Sequence, residues 1–405
     1  MTDTLRRITF DYSKLETVFQ GVDAVTCLAE QVASRDKERV FVIASRTLSR
    51  NGDVIHRLRQ ALGNRLADVF TDMPAHTPRP AVMAAIGRAA GVKTDLLVSI
   101  GGGSVIDAAK TVQLALDQDI RTEAELLAYA QFADGSRGPR CGDFRLFDGP
   151  SRLRQIAVPT TLSGAEFSNN AGVTDPARSL KEGYRGPDLC PQVIIYDPLL
   201  CRLTPDWLWL STAIRSLDHA VEGYCSPDVH SFLEGHFLHA MELFTSSLPG
   251  TRDDPADLQL RSLSQQAVWL ACCGLGKVRH GASHGIGYLL GAVCGVPHGI
   301  TSCIMLPAVL RWNSEVNGAR QHRINAALGA TSASAPDTVR ALVGRLGLPQ
   351  TLRDAGVARD ELPRIADLAS QHPVVKSNPR AIESAGDVLE ILELAWGAQE
   401  SAAVG

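Results

Sequence analysis

Three consecutive glycines, Gly101, Gly102 and Gly103, separate an apolar run (Leu96 to Ile100) from a segment that opens at Ser104. Val105, Ala109, Val112 and Leu116 then recur at helical spacing. A strand–turn–helix junction of this kind suits a nucleotide diphosphate. Residues without a Cβ let the backbone close on the phosphates, and the helix start aims unpaired N–H groups at them. Ser104, Asp107 and Lys110 follow at fixed offsets, which makes the pattern more specific than a lone glycine turn. A second polar stretch, Pro159-Thr160-Thr161-Leu162-Ser163-Gly164-Ala165-Glu166, ends the short apolar run from Gln155 to Val158. Its hydroxyls suit ribose and phosphate hydrogen bonding, and they also suit an ordinary strand-to-helix loop.

These side chains need a rigid frame, and the first half of the chain supplies a strand–helix alternation. Strands are expected at Val40 to Ser45, Leu66 to Phe70, Leu96 to Ile100, Gln155 to Val158 and Val193 to Tyr196. Helices are expected from Asp53 to Leu62 and from Pro80 to Ala90. Such alternation implies a mostly parallel, covered sheet. The stretch from Asp134 to Arg154, rich in Gly, Arg and Asp, reads as an exposed loop. From Trp207 onward helical patterns dominate, broken by turns such as Gly347-Leu348-Pro349. The expected organisation is an α/β dinucleotide-binding domain over 1–198 and an all-helical domain over 199–405, with the active site between them.

Composition narrows the classes. With 405 residues, 45% hydrophobic and 21% charged, the chain has apolar material for two cores. A net charge of -4 gives no electrostatic case for nucleic acid or an anionic membrane. No apolar run approaches the roughly 18 residues of a membrane span. Met1 to Phe10 carries charges and no apolar signal core, so a cytoplasmic protein is expected. The nine cysteines lack a CxxC pair, and adjacent Cys272 and Cys273 bridge each other poorly; reduced, mostly buried thiols are expected.

With these motifs the chain resembles the iron-containing alcohol dehydrogenase family, of dehydroquinate synthase-like fold, and within it the maleylacetate reductase branch. Gly101-Gly102-Gly103-Ser104 with Asp107 and Lys110 is similar to the family's nucleotide turn, and the segment from Pro159 to Glu166 to its second cofactor loop. His219-Ala220-Val221-Glu222, His284, His298 (in Val296-Pro297-His298-Gly299) and Asn378-Pro379-Arg380 complete the likeness. The resemblance implies hydride transfer between NADH or NADPH and a carbonyl or alcohol. It places Gly101, Gly102, Gly103, Ser104, Asp107, Thr160, Thr161, Ser163 and Lys181 at the cofactor. It also implies a homodimer.

The pattern breaks at three places. Members that bind Fe2+ or Zn2+ use an Asp, a His four residues later, and two further His fourteen residues apart. His219, His284 and His298 fall at the His positions, but Arg215 stands where the Asp belongs. A guanidinium cannot ligate a metal and repels a divalent cation. Asp218 is a poor substitute, since one helical step turns it about 100° away. The family's catalytic His corresponds to Tyr288, which can donate a proton to a developing alkoxide. A second register, with His280 and His284 as an HxxxH pair, reaches His298 only with a four-residue insertion, and the gap-free register is preferred. Finally, the Val40-to-Ser45 strand ends at Ser45-Arg46 rather than at an Asp for the ribose 2′-hydroxyl. Arg46 is then either a ligand for a 2′-phosphate or a solvated loop residue, so NADH and NADPH both stay open.

These departures lead to one functional expectation. Arg215, His219, His284 and His298 form an electropositive site, with Arg215 clamping a substrate carboxylate and Tyr288 near the proton-transfer position. The reading is a metal-independent NAD(P)H-dependent reductase of a small keto- or unsaturated carboxylate, with polarisation by the three histidines. One alternative is a metal-dependent alcohol dehydrogenase in which those histidines retain iron or zinc. Another is a non-redox lyase or pseudoenzyme. For Arg215 alone, the alternative is a structural ion pair with Asp218 or Glu222; Glu222 itself reads as an orienter of the site or a packing carboxylate. His56, His76, His230, His236, His239, His322 and His372 are assigned to surface or packing, and Trp207, Trp209 and Trp269 to the core.

Overall fold

The computed structural model describes residues 8–132, 147, 149–178, 180–330 and 332–397. Most of the loop expected between Asp134 and Arg154 therefore lies outside the described residues, as does the start of the N-terminal segment. The strands are β1 (Thr17–Gln20), β2 (Val40–Ala44), β3 (Leu66–Phe70), β4 (Leu96–Gly101), β5 (Gln131–Phe132), β6 (Gln155–Pro159), β7 (Asn170–Asp175), β8 (Leu180–Arg185) and β9 (Val193–Tyr196). Six of them form one parallel sheet in the order β1-β9-β6-β4-β2-β3. The other three form a small antiparallel sheet, β5-β8-β7.

Helices α1 (Ala24–Ser34), α2 (Arg46–Asn51), α3 (Val54–Leu62), α4 (Arg79–Gly91), α5 (Gly103–Asp117) and α6 (Glu123–Leu127) connect the strands. Burial on both faces explains why the central strands read as continuous apolar runs rather than alternating ones. Val40, Val42 and Ala44 pack with residues of α1 and α3 on one side. Phe41 and Ile43, one residue out of step, pack with α4 and α5 on the other.

The remaining chain is helical: α7 (Asp206–Cys225), α8 (Ser231–Asp253), α9 (Leu258–Cys272), α10 (Ala282–Cys294), α11 (His298–Ala327), α12 (Ala335–Arg345), α13 (Leu362–Ser370), α14 (Pro373–Lys376) and α15 (Ala385–Trp396). Its apolar core takes in Ile194 and Tyr196 of β9 and Leu162 of the loop after β6, so the helical half grows directly off the sheet.

Several expectations need adjusting. The nucleotide helix starts at Gly103 with Gly102 as its cap, one residue before Ser104. Of the three tryptophans assigned to the core, Trp207 and Trp269 are 51% and 39% exposed and Trp209 is buried, with the Arg261 guanidinium 4.7 Å from its ring. Trp207 sits in the first turn of α7, on the face away from the core that Trp209 enters. Six of the eight described cysteines are buried, and all eight are free thiols. Among the described residues, no helix is long and apolar enough to cross a membrane.

Candidate active site

The glycine turn is built for close approach. A Cβ added to Gly101 would lie 2.9 Å from Val105 Cγ2 and 3.2 Å from Ser45 Cβ; one on Gly102 would lie 2.9 Å from Thr161 Cγ2. On Gly103 it would lie 3.1 Å from Ser163 Oγ. The predicted cofactor residues Ser45, after β2, and Thr161 and Ser163, in the loop after β6, therefore converge on the turn from two separate loops. Thr160 joins them through its N–H, which donates to Gly101 O at 3.0 Å. Gly102 gives α5 no side-chain cap, as is true also of α3, α4, α7, α8, α10 and α11, and the N–H groups that open α5 lie at the glycine turn. This fits a dinucleotide's diphosphate. Arg46 opens α2 half-exposed, with Nη2 3.4 Å from Asp72 Oδ1.

Asp107 points elsewhere. Its Oδ2 accepts the Gly172 N–H at 3.0 Å, which ties α5 to the β7–β8 hairpin. That hairpin delivers Lys181, whose Nζ lies 3.4 Å from His298 Nε2. Gly172 makes room for it, because a Cβ there would collide with Lys181 Cε. Burial pulls the Lys181 ammonium below its usual range and Arg215 adds to this, while Asp107 opposes them.

Arg215, on α7, is buried, and its Nη1 donates to Ser302 Oγ at 3.1 Å. Asp218 Oδ2 is 3.9 Å away, a loose ion pair rather than a bidentate one. The guanidinium lies 5.3 Å from the centre of the Tyr288 ring. His298, His372 and His284 surround that ring with centroids 6.0, 5.8 and 6.4 Å away. Among the described residues the buried His298 Nδ1 has no partner.

Beside this cationic group lies a histidine chain. His284 Nε2 is 2.6 Å from His219 Nδ1, which is 3.3 Å from His280 Nε2. His284 Nδ1 bonds Glu222 Oε2 at 2.7 Å. Glu222 also accepts the N–H groups of Gly281, Ser283 and His284, so it orients the start of α10 as well as the imidazole. Asp218 Oδ2 accepts the hydroxyls of Ser283 and Ser302 at 2.8 and 2.6 Å. Asn378 Oδ1 accepts the Ala282 N–H, bracing the same turn. Burial keeps all these imidazoles neutral: His280 falls to about 3, and His219, His284 and His298 go well below their usual value. Burial raises Glu222 to about 8, with Asp218 adding to the rise, and burial lifts Asp218 to about 6.

Two overlapping trios bring ligand-type atoms within 4.8 Å of one another: His219, His280 and His284, and Asp218, Glu222 and His284. Neither suits a divalent ion well. Glu222 spends its oxygens on three N–H groups and an imidazole, and both nitrogens of the shared His284 are engaged. The Arg215 charge acts on every imidazole of the first trio, disfavouring further positive charge there.

The structure thus gathers a different histidine set from the one grouped in the sequence. His298 lies with Lys181 and Tyr288, and His280 takes its place beside His219 and His284. The HxxxH spacing of 280 and 284 was the visible signal. Two histidines assigned to surface or packing also reach the site. His372 packs on Tyr288, and the His76 ring lies 6.0 Å from that of His298. His76 and Thr77 adopt left-handed backbone (φ 64° and 53°), which periodicity cannot reveal.

A parallel sheet with a glycine-cradled helix start, facing a helical half that holds cations and neutral imidazoles, defines a nicotinamide-dependent oxidoreductase. The family comparison agrees. Residues 16–198 match the model for iron-containing alcohol dehydrogenase, and 209–396 that for the C-terminal part of the Fe-containing alcohol dehydrogenase family. The chain belongs to the iron-containing alcohol dehydrogenase family and is an NAD(P)-dependent oxidoreductase. It is 28% identical to dehydrogenase FUM7 of Gibberella moniliformis, over 93% of this chain and 95% of that one. It is 25% identical to maleylacetate reductase 1 of Cupriavidus pinatubonensis, over 96% of each. Its fold matches the crystal structure of maleylacetate reductase from Agrobacterium tumefaciens with a TM-score of 0.80, at 23% identity over 97% of this chain and 99% of that one.

Proposed function

We propose that this enzyme reduces a small anionic substrate, an oxo- or unsaturated carboxylate, without a metal ion. The observation that carries the reading is Arg215. Its one hydrogen bond among the described residues uses Nη1, leaving the rest of the guanidinium for a carboxylate, in a site that Lys181 also faces. The Cupriavidus relative's name, maleylacetate reductase, describes a substrate of that class.

Gly101, Gly102, Gly103, Ser104, Thr160, Thr161, Ser163 and Ser45 hold the dinucleotide, which supplies the hydride when bound. Arg215 fixes the substrate by its carboxylate. His298, whose Nδ1 has no partner among the described residues, polarises the reacting group by hydrogen bonding with His219 beside it, His284 holds His219 in place, and the Tyr288 hydroxyl stands where a proton is passed on. Ser45 and Arg46 rather than an Asp follow β2, and Arg46 Nη2 lies 3.4 Å from Asp72 Oδ1, so the cofactor is NADH or NADPH. The working unit is taken as a cytoplasmic homodimer, each chain divided between 198 and 199.

The test compares Arg215→Ala and Arg215→Lys on oxo-carboxylates and on neutral aldehydes. Losing the guanidinium should lower kcat/KM for carboxylates by about 100-fold, roughly 2.7 kcal/mol, with a much smaller loss for neutral substrates. Unchanged kcat/KM on every carboxylate tried removes the proposal. Elemental analysis should find no stoichiometric iron or zinc, and activity should survive a chelator. The 4.8 Å histidine trio favours a second reading, a metal-dependent alcohol dehydrogenase, which a tightly held stoichiometric ion would support.

A further inference from the structure

We propose that Arg79, far along the chain from every cofactor and substrate residue named above, is a positioning residue for Lys181. The proposal rests on the reading, implied by the family resemblance, that Lys181 serves the cofactor. Arg79 is the first residue of α4, and its guanidinium is mostly buried against three carboxylates. Nη2 lies 3.1 Å from Asp175 on β7, Nη1 bonds Glu182 on β8, and Nε reaches Glu123 on α6 at 3.2 Å. Glu182 is wholly buried and also accepts the Tyr184 hydroxyl at 2.9 Å.

One cation therefore grips both strands of the hairpin that carries Lys181. The strand's period of two makes this grip consequential. Glu182 faces Arg79 and the buried side, so its neighbour Lys181 faces α5 and His298. A one-residue slip of β8 would exchange the two side chains. A buried charged network is a poor source of stability compared with apolar packing of the same volume, and its attested use is to fix register.

The three residues before Arg79 tie the same hairpin to the nucleotide helix. His76 N–H donates to Ser104 Oγ at 3.0 Å and Thr77 Oγ1 to Ser104 O at 3.1 Å. Thr174 of β7 donates through Oγ1 to His76 O and through its N–H to Thr77 O. Left-handed backbone at two successive non-glycine residues is costly and persists only where neighbours hold it. Residues 76–79 form one clamp, with the cofactor helix at one end and the Lys181 hairpin at the other.

A double-mutant cycle on the full chain tests this. NADH affinity is read by nicotinamide fluorescence, and kcat and KM are read separately on an accepted oxo-acid. Arg79→Met should weaken NADH binding and kcat/KM by about the factor that Lys181→Met does, roughly tenfold, with Arg79→Lys recovering part of it. The double variant should be no worse than Lys181→Met alone. Losses that multiply, wild-type behaviour of Arg79→Met, or an Lys181→Met enzyme equal to wild type would each overturn the proposal. If Arg79→Met fails to fold, Glu182→Gln replaces it in the same cycle. A wild-type enzyme that turns over no oxo-acid refutes the substrate reading, while the NADH cycle still decides this one.

Discussion

Gly102 shows how little space the glycine turn leaves. A methyl group there would meet Thr161 Cγ2 at 2.9 Å and push the turn away from the loop after β6, which the proposed cofactor site needs closed. Gly102→Ala is expected to raise the NADH dissociation constant by about tenfold or more while barely moving thermal stability, measured by fluorescence titration beside a melting curve. A larger loss of stability than of affinity would mean that the turn is structural. The glycine turn was legible in the residues alone, whereas the hydroxyls of Thr160, Thr161 and Ser163 suited an ordinary loop as well as a cofactor. Arg215 was legible too, as a charge where relatives keep a carboxylate, and the structure adds that its nearest acid, Asp218, holds it only loosely at 3.9 Å. His76 was not legible. Its relevance comes from a left-handed turn that tertiary hydrogen bonds impose, and no local propensity announces it.

Lys110 belongs to the scale of elements. It is fully buried on α5, and its Nζ donates to Ala165 O at 2.6 Å and Asn170 O at 2.8 Å. It thereby pins the end of the Pro159-to-Glu166 stretch and the start of β7 to the helix that opens at the glycine turn. Lys110→Met keeps the volume but takes the charged donor from two carbonyls, leaving Ala165 O with the Ser168 N–H at 3.2 Å and Asn170 O with the Ser168 hydroxyl at 3.0 Å. It should cost about 1–2 kcal/mol, seen as a lower urea midpoint, and should weaken cofactor binding as the loop loosens. A midpoint within error of wild type would show that water replaces the ammonium. The main strands and the helices flanking them were readable from apolar runs and their breaks. The β7–β8 hairpin was not: its alternation (Ala171, Val173 and Asp175 inward) is carried by small and charged residues, and Gly172 and Gly183 read as loop. Hairpins held by ion pairs and glycine clearance lack the apolar signature that marks a sheet.

Across the whole molecule, buried titratable groups should set the pH of greatest stability. His219, His280, His284 and His298 have folded values far below 6.5, so as pH falls from 6.5 toward 3 they take up protons only on unfolding, and stability drops. Burial raises Glu166 to about 7, Asp218 to about 6 and Glu222 to about 8, so these keep protons in the fold that the unfolded chain releases. Their stabilising effect fades as pH climbs toward 8. His76 and His372 are lowered as well and Asp107, Asp117 and Glu182 are raised, so the two sets oppose each other and the melting temperature should peak between about pH 5 and 8 and fall on both sides. Scanning calorimetry across pH 4.5 to 9 would check this, and Glu222→Gln should flatten the alkaline limb; a melting temperature still climbing at pH 8 would contradict it.

The sheet order has a consequence for how the chain is made. Among the described strands, β1 pairs only with β9, placing Thr17 opposite Val193. Of the described strands of this sheet, β1 is made before the others and must wait for its partner until β9, the last of them, is synthesised. A chain stalled or cut before Tyr196 would carry that sticky edge with nothing to cover it.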